Sequence, residues 1–253
     1  RTVSQNTPIN PPVVILARPQ MAENIGSAAR AMMNCGLTEL RLVRPRDGWP
    51  NMAALPMAAG GAEIIETAKS YDSVAEAAHD ISFMAAATAR RRDIPIKAGD
   101  PRAVAKMITA QPGRSALLFG PEASGLDNDE VVQADILVSA PLNPAYPSLN
   151  LAQAVLLLAW EWRLAMLDTG AGDASGVISE NGDASIAAPV KERDYFYARL
   201  EDELDQGGFF SSAEMAPSVK RNLRAMFNRA APTSQEISTL HGVIQALTKS
   251  RET

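Results

Sequence analysis

The chain has 253 residues, 46% of them hydrophobic, which suffices to bury a core and favours one large unit plus a smaller one. A single cysteine and two distant histidines exclude an internal disulfide framework and argue against a structural zinc site. The formal net charge of −5 argues mildly against nucleic acid as a partner, although a binding face needs only a local excess of Lys and Arg. No apolar run approaches the roughly 20 residues that cross a membrane, and the start resembles no secretory signal, so we expect a cytoplasmic protein without a structural metal.

Short β-rich runs alternate with helical stretches through the first 160 residues. A buried strand is expected at Val13–Ala17, and the helix after it, over residues 24–33, is expected to end at Gly36, a favoured helix stop. Further strands are predicted at Leu40–Val43 and over residues 81–86, 116–120 and 136–140. Strands separated by helices predict an α/β fold with a parallel sheet covered by helices on both faces.

The run LNLAQAVLLLAWEWRLAML, residues 149–167, is apolar on nearly every face of its expected helix. Such a helix is buried all round, either in a core or between subunits. A chain of this size cannot easily enclose it. We therefore favour a subunit interface over the alternative, an ordinary core helix.

A change in composition divides the chain after residue 168. Residues 169–189 hold four glycines and no aromatic or basic side chain, which is typical of a flexible linker. Beyond it, helices are predicted over residues 194–204, 218–229 and 234–248. Thr233 and Glu236 fit a capping box at the start of the last one. The predicted organisation is a large domain over residues 1–168, a linker over 169–189 and a helical extension over 190–253.

Signatures of common nucleotide-binding loops are missing. No G-x-G-x-x-G follows the first strand, and no G-x-x-x-x-G-K-[ST] occurs. An α/β domain of this kind that binds a nucleoside cofactor must therefore do so by another route. Glycine-bearing turns instead come late in the sheet, after the strands predicted to end at Gly120 and Ala140.

Three segments carry polar side chains next to predicted strands. They are NIGSAAR at residues 24–30, FGPEASGL at residues 119–126 and NPAYPSLNL at residues 143–151. In the first, Asn24 can cap the helix, Gly26 allows a close approach to its first turn, and Arg30 shares a face with that turn. Taken singly, each segment has a simpler explanation, because a lone Arg is usually solvated and Glu122 or Ser148 could serve a helix N-terminus.

Taken together, the three segments resemble the motifs of the SpoU (TrmH) branch of the SPOUT methyltransferases. NIGSAARAM looks like motif one, LLFGPEASGLDNDE like motif two and YPSLNLAQAV like motif three, in the same order and spacing. The resemblance covers roughly residues 12–167. The tail, with RLEDELDQGGFF followed by VKRNLRAMFNRAAPTSQEISTLHGVI, resembles the helical C-terminal extension of the TrmJ subgroup.

The resemblance implies a SPOUT fold, in which a C-terminal strand–helix segment forms a trefoil knot that sequence rules alone would not predict. It also implies a homodimer whose knot loops bind S-adenosylmethionine in a bent form, mainly through backbone groups. The cofactor-binding residues carried over from the family pattern are Ala87, Thr88, Ala89, Gly120, Ala140, Leu142, Pro147, Ser148 and Leu149.

The catalytic residue implied by the resemblance is Arg30, which a family dimer delivers to the cofactor of the other subunit. Glu122, Ser148 and Asn150 are expected to orient and support it. Asn24 and Arg30 are expected to contact the RNA. The family reaction is an in-line attack of a ribose 2′-oxygen on a sulfonium methyl, which needs alignment but no metal. Because a guanidinium is effectively always protonated, we favour Arg30 as a cation that stabilises developing alkoxide charge rather than as a base.

Two basic clusters are candidates for RNA contact. Arg90 and Arg92 lie in a run of three arginines that follows a predicted cofactor loop, and a solvated loop is the alternative. Lys220, Arg221 and Arg224 are neighbours on one face of a predicted helix that holds no acidic residue. The alternative for this second cluster is an amphipathic packing helix. Phosphate contacts by either cluster would position the RNA without reading its sequence.

By analogy with the subgroup, the expected substrate is tRNA, and the expected target is the 2′-hydroxyl of nucleotide 32 in the anticodon loop. An rRNA 2′-O-methyltransferase remains open, because related members differ in substrate. An RNA-binding protein of the same fold that lacks turnover also remains open, although the four predicted catalytic residues are all present.

Overall fold

The structure, a computed structural model, describes residues 10–88, 94–169, 186–210, 212 and 214–249. Within these residues seven strands form one sheet, and every neighbouring pair in it is parallel. The strands are β1 Val13–Ala17, β2 Leu40–Val43, β3 Lys69–Tyr71, β4 Phe83–Ala87, β5 Ala98–Gly99, β6 Ser115–Phe119 and β7 Ile136–Val138. Their order across the sheet is β3-β2-β1-β6-β4-β7-β5, which confirms the predicted parallel sheet.

The α-helices of the described residues lie on both sides of this sheet and in the tail. They are α1 Ala22–Cys35, α2 Leu55–Ala58, α3 Ala62–Thr67, α4 Val74–Ala77, α5 Pro101–Thr109, α6 Asn128–Val131, α7 Leu151–Asp168, α8 Val190–Gln206, α9 Ala216–Ala230 and α10 Ser234–Lys249. Two short 3-10 turns, Met52–Ala54 and Ala59–Gly61, flank α2.

Both faces of the sheet are buried. In β1, Val14 and Leu16 belong to a core cluster with side chains from α1, α5 and α7. Val13 and Ile15 belong to a second cluster with side chains from α4, α6 and the start of α8. Because both faces are covered, β1 is an unbroken apolar run, which is why its bounds could be predicted from the sequence.

Two of the strands, β3 and β5, were not predicted from the sequence. β3 lies at one edge of the sheet, where Lys69 and Ser70 are exposed, and β5 at the other edge has only two residues. Neither has the apolar run or the alternation that predicts a strand. The three strands predicted over residues 81–86, 116–120 and 136–140 are present, with each end displaced by two residues or fewer.

Helix α1 starts two residues earlier than expected. Its N-cap is Met21, which makes no capping hydrogen bond through its side chain, and Asn24 lies inside the first turn. The expectation that Asn24 caps this helix was therefore wrong. At the other end, Gly36 has the left-handed backbone expected of a glycine stop, with a φ of 79°, and its N–H bonds to the carbonyl oxygens of Met32 and Met33.

Helix α7 buries only one face within its own chain. Val155 and Trp162 are buried on the side that packs against α1 and α5. On the other side, Leu156, Trp160 and Leu167 are 42%, 52% and 53% exposed. The subunit interface expected on this helix stays a prediction. Despite its apolar sequence, neither α7 nor another helix in the described ranges meets the length and hydropathy of a membrane span.

The tail forms the three predicted helices, α8 to α10, with somewhat wider bounds, around a core that includes Phe196 and Ile237. The N–H of Thr233 donates to a carboxylate oxygen of Glu236 at 2.7 Å, and the N–H of Glu236 donates to Thr233 Oγ1 at 3.2 Å. The predicted capping box is thus confirmed. Residues 170–185 of the predicted linker lie outside the described residues, and the division into domains stays a prediction.

A buried ion pair attaches the tail to the sheet. Arg193 of α8 is 1% exposed, and its Nη1 donates to Oδ1 of Asp135, just before β7, at 2.8 Å. The other carboxylate oxygen of Asp135 accepts from the N–H of Met84 in β4 at 2.7 Å. Asn228 of α9 joins the same group, because its Oδ1 accepts from Arg193 at 3.1 Å and its Nδ2 donates to the carbonyl oxygen of Val132. The tail is therefore held by specific polar contacts at the amino ends of β4 and β7.

Candidate active site

A cavity of about 710 Å³ lies at the carboxyl ends of β4, β6 and β7. Its wall is formed by residues directly after β4, by the loops 119–126 and 138–142, and by the segment that leads into α7. Open parallel sheets bind their ligands at this end of the strands. The cavity is therefore the candidate site for a small-molecule ligand.

The cavity brings together most of the predicted cofactor-binding residues. Those that line it are Ala87, Thr88, Gly120, Ala140, Leu142, Pro147, Ser148 and Leu149. The remaining one, Ala89, lies outside the described residues. Segments far apart in the sequence thus meet at one wall, while the binding of a cofactor there stays a prediction.

The loop after β6 turns back tightly on itself. A Cβ atom at Gly120 would lie 2.2 Å from the backbone nitrogen of Leu126, so this approach requires glycine. Gly125 has a φ of 68°, and its N–H donates to the carbonyl oxygen of Pro121 at 2.8 Å. The compact turn places the side chain of Glu122 at the cavity wall.

Side chains from the three motifs form a hydrogen-bonded chain beside this wall. Asn24 Nδ2 donates to Oε1 of Glu122 at 2.6 Å, and Asn150 Nδ2 donates to Oδ1 of Asn24 at 3.2 Å. The second carboxylate oxygen of Glu122 accepts from the backbone N–H of Gln20 at 3.1 Å. Because both oxygens have fixed donors, the carboxylate of Glu122 joins the loop after β6 to the start of α1, and Asn150 extends this link to α7.

Asn150, rather than Ser148, caps helix α7. Its Oδ1 accepts from the N–H of Ala152 at 2.9 Å, and Gln153 completes a capping box. The simpler explanation of Ser148 as a helix cap is therefore wrong, and Ser148 instead lines the cavity. Asn150 fixes the first turn of α7 and the side chain of Asn24 at the same time.

Gly26 and Arg30 of α1 have different surroundings. A Cβ atom at Gly26 would lie 2.0 Å from the carbonyl oxygen of Ala54, so the group that closely approaches this turn belongs to the chain itself. Arg30 is exposed, and the described residues that line the cavity do not include it. The structure therefore leaves Arg30 outside the cavity of its own chain.

The predicted RNA-contacting residues are only partly described. Arg90 and Arg92 lie outside the described residues. Arg224 is half-buried, and its Nε donates to the carboxylate of Glu201 at 2.6 Å. This hydrogen bond raises the pKa of Arg224 above its usual value. Arg224 thus matches the alternative of a packing helix, since its charge is already paired with α8.

The other two cations of the second basic cluster also have neighbours. Nη1 of Arg221 lies 3.6 Å from Oδ1 of Asp129, an exposed residue of α6. The ammonium of Lys220 lies 5.1 Å from the centroid of the Phe210 ring. RNA contact by Lys220 and Arg221 stays a prediction, and it would compete with the Arg221–Asp129 ion pair and with the contact between Lys220 and Phe210.

Sequence reasoning missed several residues of this site. Gln20 contributes only its backbone N–H to Glu122, so no side-chain pattern marks it. Ser139 lines the cavity one position before the predicted Ala140. Its position directly after β7 was the signal that could have identified it.

Family comparisons cover both parts of the chain. Residues 11–160 match the SpoU rRNA Methylase family, and residues 191–253 match the C-terminal domain of the tRNA methyltransferase TrmJ. The tRNA (cytidine/uridine-2′-O-)-methyltransferase TrmJ of Sodalis glossinidius is 37% identical over 236 residues, which cover 92% of this chain and 90% of that protein. The enzyme of the same description from Salmonella choleraesuis is 36% identical, with 92% and 95% covered.

Solved structures agree with these matches. The crystal structure of TrmJ from Z. mobilis ZM4 superposes with a TM-score of 0.85 at 40% identity, covering 94% of this chain and 100% of that one. A probable methylase family protein from Haemophilus influenzae Rd KW20 gives a TM-score of 0.60 at 32% identity, with 94% and 96% covered. The chain therefore belongs to the SpoU methylase family, as its three motifs predicted, and it carries the C-terminal domain of the TrmJ group.

Proposed function

We propose that this RNA ribose 2′-O-methyltransferase takes its methyl group from S-adenosylmethionine and acts on tRNA as a homodimer. We further propose nucleotide 32 of the anticodon loop as the target. The observation that carries the proposal is the meeting of Glu122, Asn24 and Asn150, one from each motif, beside a cavity at the carboxyl ends of the strands. The similarity to tRNA (cytidine/uridine-2′-O-)-methyltransferases supports the choice of RNA.

The chemistry of the cavity supports this cofactor. Glu122 is the only charged side chain among the described lining residues, so this part of the wall offers no cation for a di- or triphosphate. Apolar side chains such as Leu142 and Leu158 suit an adenine ring and a methionine chain, and the two loops offer neutral backbone donors and acceptors. When bound, S-adenosylmethionine supplies a methyl group on a positively charged sulfur, and the carboxylate of Glu122 is complementary to that charge.

The chain's own residues would align the reactants. Glu122, Asn24 and Asn150 hold the loop after β6, α1 and α7 in a fixed relation, which keeps the cavity wall in place for an in-line displacement. Arg30 of a second subunit would bind the ribose–phosphate and place its positive charge beside the 2′-oxygen. A permanent cation there stabilises the alkoxide that develops as the hydroxyl loses its proton.

The exposed face of α7 supports the homodimer. Leu156, Trp160 and Leu167 leave an apolar strip in water that a second subunit would cover. The position of Arg30 supports the same dimer, because this residue is not among the described residues that line the cavity of its own chain.

Methyl transfer from labelled S-adenosylmethionine to bulk tRNA, followed by mapping of the methylated ribose, tests the proposal. We expect a single 2′-O-methyl group at nucleotide 32, and none with the Arg30→Ala variant. Transfer to rRNA alone would favour the rRNA 2′-O-methyltransferase instead. Binding of donor and RNA without transfer would favour the non-catalytic RNA-binding protein. A cytoplasmic location, where tRNA is available, stays a prediction.

A further inference from the structure

We propose that Arg18 is a positioning residue for the donor cavity, because it fastens the far end of the cavity loop 120–126 to β1 through the carboxylates of Asp127 and Glu130. This inference rests on the proposed use of the cavity for a methyl donor. Arg18 belongs to none of the three motifs and does not line the cavity, so it acts only through the groups that it holds.

The backbone of Arg18 is held in an uncommon conformation. It is the residue directly after β1, its φ is 49°, and its N–H donates to the carbonyl oxygen of Val43 at 2.7 Å. A left-handed backbone is costly for a side chain with a Cβ atom and persists where surrounding contacts enforce it. The backbone sets the direction in which the side chain leaves β1, and the case for Arg18 rests on what that side chain contacts.

The guanidinium of Arg18 binds two carboxylates that would otherwise repel each other. Nη1 and Nη2 each donate to one oxygen of Glu130, the second at 2.9 Å, and Nη1 lies 3.2 Å from Oδ2 of Asp127. The side chain of Glu130 is only 8% exposed. A bidentate pair with a buried carboxylate is geometrically specific, unlike most surface ion pairs.

The two carboxylates also build the start of α6. The N–H of Glu130 donates to Asp127 Oδ1 at 2.9 Å, and the N–H of Asp127 donates to Glu130 Oε2 at 2.9 Å, which makes a capping box. Asp127 follows Leu126, whose backbone nitrogen lies against Gly120. The cation therefore holds the segment in which the cavity loop ends.

One short stretch of chain thus holds both parts of this loop. Gln20 and Asn24 hold Glu122 near its start, and Arg18 holds Asp127 and Glu130 at its end. Removing the cation would leave two adjacent anions and loosen the end of the loop. We expect the cavity to bind the donor less tightly, while the rate of methyl transfer from bound donor stays unchanged.

Hydrogen exchange and donor titration of Arg18→Gln test the inference. Amides of residues 120–131 should exchange about tenfold faster than in the parent protein, and affinity for S-adenosylmethionine should fall about tenfold, the order expected for losing a charge-assisted hydrogen-bonded pair. KM for the donor should rise while kcat at saturating donor stays within about twofold. Arg18→Lys, which keeps the charge but loses the bidentate geometry, should recover part of the donor affinity.

Arg44→Gln is the matched control. Arg44 directly follows β2, has a φ of 43° and is exposed, and the described residues offer it no ion pair. This variant should leave loop exchange and donor affinity unchanged. Should Arg18→Gln fail to fold, Glu130→Gln removes the same contact from the other side and is expected to give the same two changes.

The outcomes separate this inference from the proposed function. If the parent protein fails to bind the donor, the proposed cofactor is wrong, and loop exchange still tests Arg18. If the parent binds the donor and Arg18→Gln matches it in exchange and affinity, Arg18 has no positioning role. A fall in kcat with unchanged KM for the donor would also overturn the inference, because the cation would then act in the chemical step.

Discussion

Asn24 and Glu122 lie 98 positions apart in the sequence, and their side chains meet with 2.6 Å between Nδ2 and Oε1. The contact joins the first turn of α1 to the loop after β6, so two motifs that look independent in the sequence form one unit. The side chain of Asn24 does not cap α1, and Glu122 lies in a loop. The two side chains instead bond to each other, and Glu122 also lines the cavity.

Replacing Glu122 with glutamine tests whether the hydrogen bonds that join these two motifs are needed for activity. Both oxygens of Glu122 accept hydrogen bonds, so one end of the amide would place a donor against Gln20 or Asn24. A mismatched polar contact at this half-buried position costs about 1–3 kcal/mol, and we expect kcat/KM for methyl transfer to fall by roughly tenfold to a hundredfold. Glu63→Gln, at an exposed position of α3, should have no effect. Full activity in Glu122→Gln would show that the paired acceptors are not needed.

Variants that keep or remove the positive charge at position 30 test the role of Arg30. If Arg30 acts as a cation beside the developing alkoxide, Arg30→Lys should retain clearly more methyl transfer activity than Arg30→Ala. Steady-state transfer to tRNA with both variants measures the difference. Equal and complete loss in the two variants would count against a simple charge role.

Elements that follow from the local sequence pattern could be predicted. Features that depend on tertiary contacts could not. β1 was predicted because both of its faces are buried, whereas β3 was missed because Lys69 and Ser70 are exposed at the sheet edge. Asn24 has the residue type of a helix cap, yet its amide is used by Glu122 instead. Only the folded chain shows such a preference.

Arg224 shows the same limit in the tail. On a helix without acidic residues it is predicted as an exposed cation, but Glu201 of the neighbouring helix α8 pairs with it. No spacing rule connects two helices across a loop. The residues predicted to bind the cofactor were identified from the family motifs rather than from local pattern, and most of them line one cavity.

The stability of the tail contact depends on Arg193. Replacing Arg193 with methionine would leave the carboxylate of Asp135 buried without its cation, which costs about 3–5 kcal/mol in comparable cases. Urea unfolding should show this loss in Arg193→Met and none in Lys191→Met, an exposed position on the same helix. The double variant with Asp135→Leu should recover part of the loss. An unchanged unfolding midpoint in Arg193→Met would mean that the ion pair does not hold the tail.

Protonation of Asp80 should contribute to the loss of folding stability at low pH. Its carboxylate accepts from Arg41 at 3.0 Å and from Arg114 at 2.6 Å, and the hydrogen bond from Arg41 lowers the pKa of Asp80. The folded chain therefore binds this proton more weakly than the unfolded chain does. Its contribution to stability is present above a pH of about 4 and is lost as the pH falls through the lower folded pKa.

Asp80→Asn should accordingly reduce stability at pH 7 and give a shallower loss of stability below about pH 4. Urea unfolding across a pH series measures both effects. The exposed Asp72→Asn variant serves as the comparison. The same acid slope in Asp80→Asn and the parent protein would remove Asp80 from the acid response.

In the proposed dimer the cavity of one subunit uses Arg30 of the other, and mixing two inactive variants tests this arrangement most directly. Arg30→Ala lacks the cation, and Ala140→Trp fills the cavity wall. Random exchange of subunits should restore methyl transfer to about a quarter of the parent activity, since half of the dimers would then contain one intact site of two. No recovery of activity in verified mixed dimers would contradict the account.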